Sequence, residues 1–433
     1  MNRRNFLLAS AGSLTALDML AGVDKNFVRQ FEKHLNKLEN QSISASAENE
    51  DFWGWVRESY TTSSNLINLN NAGVCPQPKI VQDAHIKYYQ MSNEGPSYYM
   101  WRILDQGREG LRNKLADLCG VLPEEISINR NSTEGLNTVI FGLNLKEGDE
   151  VVLSRSDYPN MMNAWKQREK RDKIKLVWID IPQPTQDDAT IVKIYENAIT
   201  ARTKIVHITH LINWTGNIVP ARAIADMAHR KGCEVILDGA QSFAHFDFKI
   251  EDTGADYFAS SLHKWLCAPF GSGLLYIKKD KIKNVWALLS SVEPDGEDIK
   301  KFESLGTRSF ASEMAIGTAA DFQLSIGAAR KQARAHYLQR YWTDKARQIP
   351  GVKIHTSPDP KYACAIALVS VDGLKTSELD GQLYNKYKIH TTGIEWENIK
   401  GVRVTPHVYH TPKDLDRLVN ALDEIASASK RKS

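Results

Sequence analysis

The chain has 433 residues, which is long for one compact unit and predicts two or three domains. Its hydrophobic content of 42% and charged content of 25% are those of an ordinary soluble globular protein. The formal net charge of +3 is small for this length, so neither nucleic acid nor an anionic membrane is an expected partner. The five cysteines include no Cys-x-x-Cys pair, which argues against a zinc ribbon, and we expect no metal site.

The first residues have the pattern of an export signal. Arg3 and Arg4 precede Phe6-Leu7 and an apolar stretch that runs to about residue 22, an order that resembles a twin-arginine signal. Asp18 interrupts the apolar stretch, so we expect no permanent membrane insertion. We therefore interpret residues 1–22 as a twin-arginine signal segment that directs export to the periplasm. The alternative is a loose basic N-terminus on a cytoplasmic protein.

The next segment connects this signal to the folded part of the chain. Residues 24–38 carry apolar side chains at helical spacing, and residues 39–50 are small and polar, as in a linker. We expect residues 23–70 to form an N-terminal helix and linker that join the smaller of two domains.

From about residue 110, short apolar strands alternate with helices. The predicted strands are 126–129, 150–154, 175–181, 204–209, 234–237, 257–260 and 273–277. Helices are predicted at 133–143 and 220–231, the second with Pro220 at its start and Gly232 at its end. This alternation predicts an α/β fold with a mostly parallel sheet covered by helices on both faces. Ligands of such sheets bind beyond the carboxyl ends of the strands.

The remainder of the chain has a different pattern. Residues 311–345 are largely helical, 363–371 alternate as a strand does, and 414–426 predict a closing helix. We therefore predict a large ligand-binding domain over residues 71–310 and a smaller α+β C-terminal domain over residues 311–433.

Three segments place reactive or polar groups directly after predicted strands. Asp238 follows one strand, and Lys264 lies in Ser261-Leu262-His263-Lys264-Trp265 after another. The segment Asn131-Ser132-Thr133 offers hydroxyls and backbone N–H groups at a helix N-terminus, which suits a phosphate. A carboxylate could keep a pyridine nitrogen protonated, and a lysine amine could form an imine with an aldehyde.

Together these segments resemble the class V aminotransferase family of fold-type-I enzymes, which work with pyridoxal 5'-phosphate (PLP). The family also contains cysteine desulfurases and isopenicillin-N epimerases, and the resemblance runs from about Leu69 to Leu422. It implies a fold-type-I PLP-dependent transferase with a large and a small domain. With its export signal, the chain also resembles the periplasmic PLP enzymes of pyoverdine maturation.

The resemblance implies a role for each matching residue. Lys264 would carry PLP as a Schiff base and act as the proton shuttle, and Asp238 would pair with the pyridine nitrogen. The residues implied in contacts with the phosphate or the ring hydroxyl are Ser132, Thr133, Asn213, Gln241, Ser261 and His263.

The resemblance also implies residues around the substrate. Tyr158 would stack on the cofactor ring, and Arg403 would clamp the carboxylate of a small amino-acid substrate, with Asn71 in a loop beside it. Thr307 would reach the phosphate of a neighbouring subunit, so we expect a homodimer with shared active sites.

The sequence leaves the reaction open among several PLP chemistries. We expect transamination, with an epimerase of the isopenicillin-N type or a lyase as alternatives. A non-enzymatic PLP-fold binding protein is disfavoured because Lys264 is present and no DNA-binding module is added. Desulfuration is disfavoured because residues 390–396 contain no cysteine and Cys364 lies in an apolar strand.

Overall fold

The structure is a computed structural model that describes residues 41–185 and 187–431, together with Lys33 and Leu38. The predicted signal segment 1–22 lies outside the described residues, as does nearly all of the predicted helix 24–38.

A seven-stranded, mostly parallel sheet forms the centre of the large domain. Its order is β2-β8-β7-β6-β5-β3-β4, and only β8 runs antiparallel to its neighbours. The strands of this sheet are β2 Ile126–Asn129, β3 Glu150–Ser154, β4 Lys175–Ile179, β5 Thr203–Thr209, β6 Glu234–Asp238, β7 Tyr257–Ser261 and β8 Gly273–Ile277. All seven predicted strands are confirmed, with ends that differ by at most two residues from the prediction.

Helices cover both faces of this sheet, as the near-continuous apolar strands require. Successive residues of β6 alternate between two separate cores: Val235 and Leu237 pack into one, and Ile236 packs into the other. Within the described residues, the α-helices of four or more residues that begin before Phe310 are α1 Ile43–Ala47, α2 Glu50–Glu58, α3 Lys79–Glu94, α4 Arg108–Cys119, α5 Ser132–Gly142, α6 Pro159–Asp172, α7 Asp188–Ala198, α8 Ala221–Arg230 and α9 Ile250–Thr253. The predicted fold class is therefore confirmed.

A smaller antiparallel sheet lies in the C-terminal part of the chain, in the order β12-β13-β10-β9. Its strands are β9 Val352–Ile354, β10 Ala367–Val371, β12 Thr392–Trp396 and β13 Ile399–Val404. The helices of this part are α10 Phe310–Ile326, α11 Ala328–Ala346, α12 Thr376–Tyr387 and α13 Pro412–Lys430. Three of them, α11, α12 and α13, contribute to one apolar core with this sheet. The domain boundaries given above remain predictions.

The segment predicted as a linker, 39–50, contains helix α1 and leads directly into α2. Ser42 and Asn49 cap the two helices by accepting hydrogen bonds from Ala45 N and Phe52 N. Arg334 on α11 donates to the carbonyl of Ala47, so tertiary contacts hold this segment against the C-terminal part. Beyond it, the two-residue strand β1 Ile67–Asn68 pairs in parallel with β11 Ile389–His390.

Within the described ranges, every helix is too short or too polar to traverse a bilayer.

Candidate active site

Lys264 and Asp238 lie at the carboxyl ends of adjacent parallel strands. Asp238 is the last residue of β6, and Lys264 follows the end of β7 by three residues. The two strands are paired so that Asp238 stands beside Ala259. The topology therefore brings the acid and the amine to the edge of the sheet where α/β folds bind ligands.

Burial sets the charge states of this pair. It lowers the pKa of Lys264 to about 8, against the opposing effect of Asp238 and with a further lowering by Arg403. Burial also raises the pKa of Asp238, which a hydrogen bond from Ala240 N (2.9 Å) and the charge of Lys264 partly counteract. Because the pKa of Lys264 is about 8, part of the lysine is present as the neutral amine at neutral pH. The neutral amine is the form that reacts with an aldehyde.

Two hydroxyls meet at the N-terminus of α5. The Oγ atoms of Ser132 and Ser261 lie 2.9 Å apart, and Ser132 N donates to Ser261 Oγ over the same distance. Thr133 occupies the first turn, and Asn131 caps the helix by accepting from Glu134 N at 2.9 Å. This helix end brings two serine hydroxyls and the backbone N–H of Thr133 to one point, an arrangement that suits a phosphate.

Several buried polar atoms of the residues predicted to bind cofactor or substrate lack a hydrogen-bond partner within the described chain. They are Asn213 Oδ1, His263 Nδ1 and Arg403 Nε. Buried polar groups are almost always paired, so a cluster of unpaired ones indicates a ligand site. These residues fit a group that carries a ring hydroxyl and a phosphate.

Gln241 is already held by the protein. Its Nε2 donates to Ala72 O at 2.8 Å, and its Oε1 accepts from Trp265 Nε1 at 2.9 Å. One amide hydrogen remains for a further acceptor. The role at the ring hydroxyl stays a prediction, and the structure adds a role in positioning Trp265 beside Lys264.

Arg403 on β13 is buried without a counter-ion. Its Nη1 donates to Asn213 O and its Nη2 to Asn70 Oδ1, each at 3.1 Å, and no carboxylate of a described residue forms an ion pair with it. Burial lowers its pKa to about 10, and nearby Tyr158 partly opposes this effect. A guanidinium in this state is poised for the carboxylate of a ligand.

The two asparagines of the loop at Asn70-Asn71 have different partners. Asn71 is fully buried, donates to Thr405 O (2.7 Å) and accepts from Tyr409 OH (2.6 Å). These bonds tie the loop to the strand end after Arg403, so Asn71 has a structural role. Asn70 is the member of the pair that contacts Arg403, and the contact of Asn71 with the substrate stays a prediction.

Tyr158 stands at the start of α6 with 40% of its surface exposed. The residue before it, Asp157, was not among the predicted site residues. Asp157 accepts from Thr209 Oγ1 (2.7 Å) and from Ser154 N (2.8 Å), and burial raises its pKa to about 7, with a further contribution from Asp238. It follows strand β3 by three residues, as Lys264 follows β7, and the sequence already contained this signal.

Two stacked tryptophans hold the loop that carries Tyr158. The rings of Trp214 and Trp396 lie 5.5 Å apart and nearly parallel. Trp214 Nε1 donates to Ser156 O (3.1 Å), and Trp396 Nε1 donates to Arg155 O (2.8 Å). Because Trp396 belongs to the small sheet, this contact joins the two parts of the chain next to the site.

Thr307 is exposed in the loop before α10, and its side chain forms no hydrogen bond with a described residue. Its contact with a second subunit stays a prediction.

Comparison with known proteins agrees with this geometry. The family model of aminotransferase class-V matches residues 67–418, and the chain belongs to this family. An isopenicillin N epimerase of Amycolatopsis lactamdurans is 26% identical over 86% of this chain and 98% of its own length. A probable cysteine desulfurase of Halalkalibacterium halodurans is 28% identical over 85% and 95%. The solved cysteine desulfurase of Thermococcus onnurineus shares the fold, with a TM-score of 0.78, 23% identity and coverage of 88% and 98%.

Membership in this family identifies the chain as an enzyme and its cofactor as pyridoxal 5'-phosphate, which confirms the prediction made from the sequence. The residues that would hold it are those described above: Lys264 and Asp238 at the strand ends, and Ser132, Ser261 and His263 around the helix N-terminus.

Proposed function

We propose that this enzyme acts at the α-carbon and amino group of a small amino acid, with transamination as its reaction. The observation that carries the proposal is the buried Arg403, which has no carboxylate partner in the described chain and acts on the pKa of Lys264. A fixed guanidinium near the reactive lysine orients an α-carboxylate and thereby places the α-carbon within its reach.

The bound cofactor supplies an electron-withdrawing ring that stabilises negative charge at the substrate α-carbon. The chain supplies the proton chemistry. Lys264, with a pKa of about 8, can take a proton from the α-carbon and deliver it to a neighbouring atom on the same face. The buried Asp238 already accepts a hydrogen bond from Ala240 N, and it can accept another from a pyridine N–H.

Desulfuration is disfavoured by the location of every cysteine. All five are buried, and burial raises the pKa of Cys364 to about 12. A desulfurase needs an accessible thiolate on a mobile loop. Here residues 389–396 form β11 and β12, and Trp396 is bonded to the large domain.

Epimerisation is the second candidate, supported by two isopenicillin N epimerases that match this chain over 98% of their own lengths. It requires a second proton carrier on the face opposite Lys264. Tyr158 is partly exposed and close to Arg403, and it is the residue that we propose for this role.

The test combines one variant with an amino-acid screen. Lys264→Ala should bind pyridoxal phosphate without covalent attachment, so borohydride should fix no cofactor to the protein. The wild type is then incubated with single amino acids in deuterium oxide. Keto-acid formation supports transamination, whereas deuterium exchange with inversion and no keto acid replaces it with epimerisation. Covalent fixation of the cofactor in the alanine variant contradicts both candidates.

We also propose that the enzyme is a homodimer in which Thr307 reaches the site of the partner. Its exposed position in the loop before α10 supports this arrangement. Sedimentation of the holoenzyme should show a dimer, and a fully active monomer contradicts the proposal.

Export through the twin-arginine route is our proposal for residues 1–22, based on Arg3-Arg4 and the apolar stretch that follows. Fractionation should find the wild type outside the cytoplasm and the Arg3→Lys/Arg4→Lys variant inside it. A wild type that stays in the cytoplasm contradicts the proposal.

A further inference from the structure

A buried cluster of two cysteines and a histidine lies directly behind the segment that carries Lys264. The Sγ atoms of Cys75 and Cys267 and a ring nitrogen of His407 all lie within 4.8 Å of one another. Cys75 is 0% exposed, and the other two residues are 2% exposed. None of the roles assigned above uses these three side chains.

Several donors converge on the sulfur of Cys267. Tyr60 OH donates to Cys267 Sγ at 3.8 Å, and His407 Nε2 lies 3.5 Å from the same atom. The other ring nitrogen of His407 is buried without a partner. An unpaired acceptor is better tolerated in a protein interior than an unpaired N–H, so the proton belongs on Nε2, which then donates to the sulfur.

The nearby cation Lys331 completes the charge balance. It is buried, and it donates to Trp265 O and, at 2.8 Å, to Gln323 Oε1. No carboxylate of the described chain forms an ion pair with it. A buried ammonium needs an anion close by, and a thiolate at Cys267 supplies one.

The thiol acidities follow from the same contacts. Burial raises the pKa of Cys267, but its contacts with Cys75 and His407 and the nearby Lys331 outweigh burial, so its pKa falls well below the usual value. Burial, followed by the hydrogen bond to Cys267, raises the pKa of Cys75 well above the usual value. The Cys75 thiol donates to Asn71 O at 3.2 Å, and its sulfur lies within 4.8 Å of the Cys267 sulfur.

We propose that Cys75 and Cys267 form a redox-active pair that a small hydroperoxide oxidises to a disulfide. The Cys267 thiolate attacks a peroxide oxygen, so an S–O bond forms, the O–O bond breaks, and hydroxide leaves. The Cys75 thiol then attacks the resulting sulfenic acid, so an S–S bond forms, the S–O bond breaks, and water leaves. The two sulfurs lose two electrons and the peroxide gains them. Because both sulfurs are buried, the oxidant is a small neutral molecule rather than a protein disulfide.

The pair is tied to the segment of the reactive lysine. Cys267 N donates to Lys264 O at 3.0 Å, and Cys75 N donates to His263 O at 3.1 Å. Cys267 also has a φ of 60°, in the left-handed region that a non-glycine residue rarely adopts. A disulfide draws the sulfurs to about 2.05 Å and so displaces both backbones. The effect on Lys264 rests on the proposed function, whereas the oxidation itself does not.

The experiment counts thiols in the full-length holoenzyme. The reduced protein receives one equivalent of hydrogen peroxide, is denatured, and is then titrated for free thiols and mapped by peptide mass spectrometry. The wild type should lose two of its five thiols and yield a Cys75–Cys267 cross-linked peptide. The control Cys119→Ala, which removes a buried thiol on α4, should also lose two.

Two further variants separate the steps. Cys267→Ala should lose no thiols, and Cys75→Ala should accumulate a sulfenic acid on Cys267 that dimedone traps. The proposal is overturned if all five wild-type thiols survive, if a different pair is cross-linked, or if unfolding releases a stoichiometric metal ion that had protected the cluster. Lys264→Ala should show the same thiol loss, so a failure of the proposed function leaves this result unaffected.

Discussion

Two buried arginines show how differently the same side chain is used in two regions of the molecule. Arg112, on α4 of the large domain, is 2% exposed and holds Glu303 with two bonds of 2.7 and 2.9 Å. Burial lowers its pKa, but the carboxylates of Glu303 and Glu109 outweigh burial and raise it. Arg403, on β13 of the small domain, is 6% exposed and meets only neutral oxygens.

The presence of a carboxylate partner indicates that Arg112 stabilises the fold, and the lack of one within the described chain indicates that Arg403 binds a ligand. Arg112 and Glu303 neutralise each other's charge in the interior, so removing Arg112 leaves the buried carboxylate with only its ion pair to Arg108. Arg403 has no counter-ion among the described residues. Its removal should therefore not lower the free energy of unfolding, and it should weaken only the binding of a ligand at this position. The predictions below test this division.

The largest expected effect is on the stability of the large domain, around Arg112. Arg112→Met should lower the free energy of unfolding by about 3 kcal/mol, because Glu303 stays buried and only Arg108 still pairs with it. Urea denaturation measures this loss. The control Arg130→Met removes an exposed pair with Glu134 and should lower stability by less than about 1 kcal/mol. Equal losses in the two variants would contradict the assignment.

Arg403→Gln should give the opposite result. Loss of a charged hydrogen bond to the substrate carboxylate weakens binding by about 1.5–3 kcal/mol, which is about 10- to 150-fold in KM. Its unfolding free energy should stay equal to or exceed that of the wild type, because an unpaired buried charge is removed. Steady-state kinetics and urea denaturation test the two parts. A variant that is destabilised with unchanged KM would assign Arg403 to the fold.

A neighbouring pair of asparagines repeats the contrast on a smaller scale. Asn70→Ala removes one acceptor from Arg403 and should raise KM several-fold, about 1 kcal/mol, with little change in melting temperature. Asn71→Ala removes the bonds to Thr405 and Tyr409 and should lower the melting temperature with KM unchanged. The reverse pattern would mean that Asn71, and not Asn70, acts on substrate binding.

The smallest effect is electrostatic. The rate at which the apoprotein takes up pyridoxal phosphate should rise as pH passes through about 8, where Lys264 becomes neutral. Arg403 lowers and Asp238 raises that pKa. Therefore Arg403→Gln should move the inflection to higher pH, and Asp238→Asn should move it to lower pH. Rate profiles measured by absorbance show the shifts, and unmoved inflections would mean that neither charge acts on Lys264.

Much of the fold and the central pair of the site could be predicted because their signals are local. Strands β6 and β7 are apolar runs; Asp238 ends the first, and Lys264 follows the second by three residues. The segment 39–50 was misread because its composition is polar, whereas its helix depends on distant partners such as Arg334. Asn70 and Asn71 are adjacent, and only the packing against Thr405 and Tyr409 decides which one faces Arg403.

The cysteine pair illustrates the same limit. Cys75 and Cys267 lie in different segments, and neither segment contains a local pattern that predicts its proximity to His407 and Lys331. Asp157 is the opposite case, because it follows β3 by three residues as Lys264 follows β7, and this position is visible in the sequence.

The parallel pairing of β1 with β11 joins two segments that are more than 300 residues apart in the sequence. Loop-closure entropy opposes such a contact until almost everything between the strands is ordered. During synthesis from the N-terminus, Ile67 and Asn68 therefore emerge early and wait for Ile389 and His390, which are made among the last. The small domain is completed only when synthesis is nearly finished, so a chain truncated before β11 leaves the N-terminal segment without its strand partner.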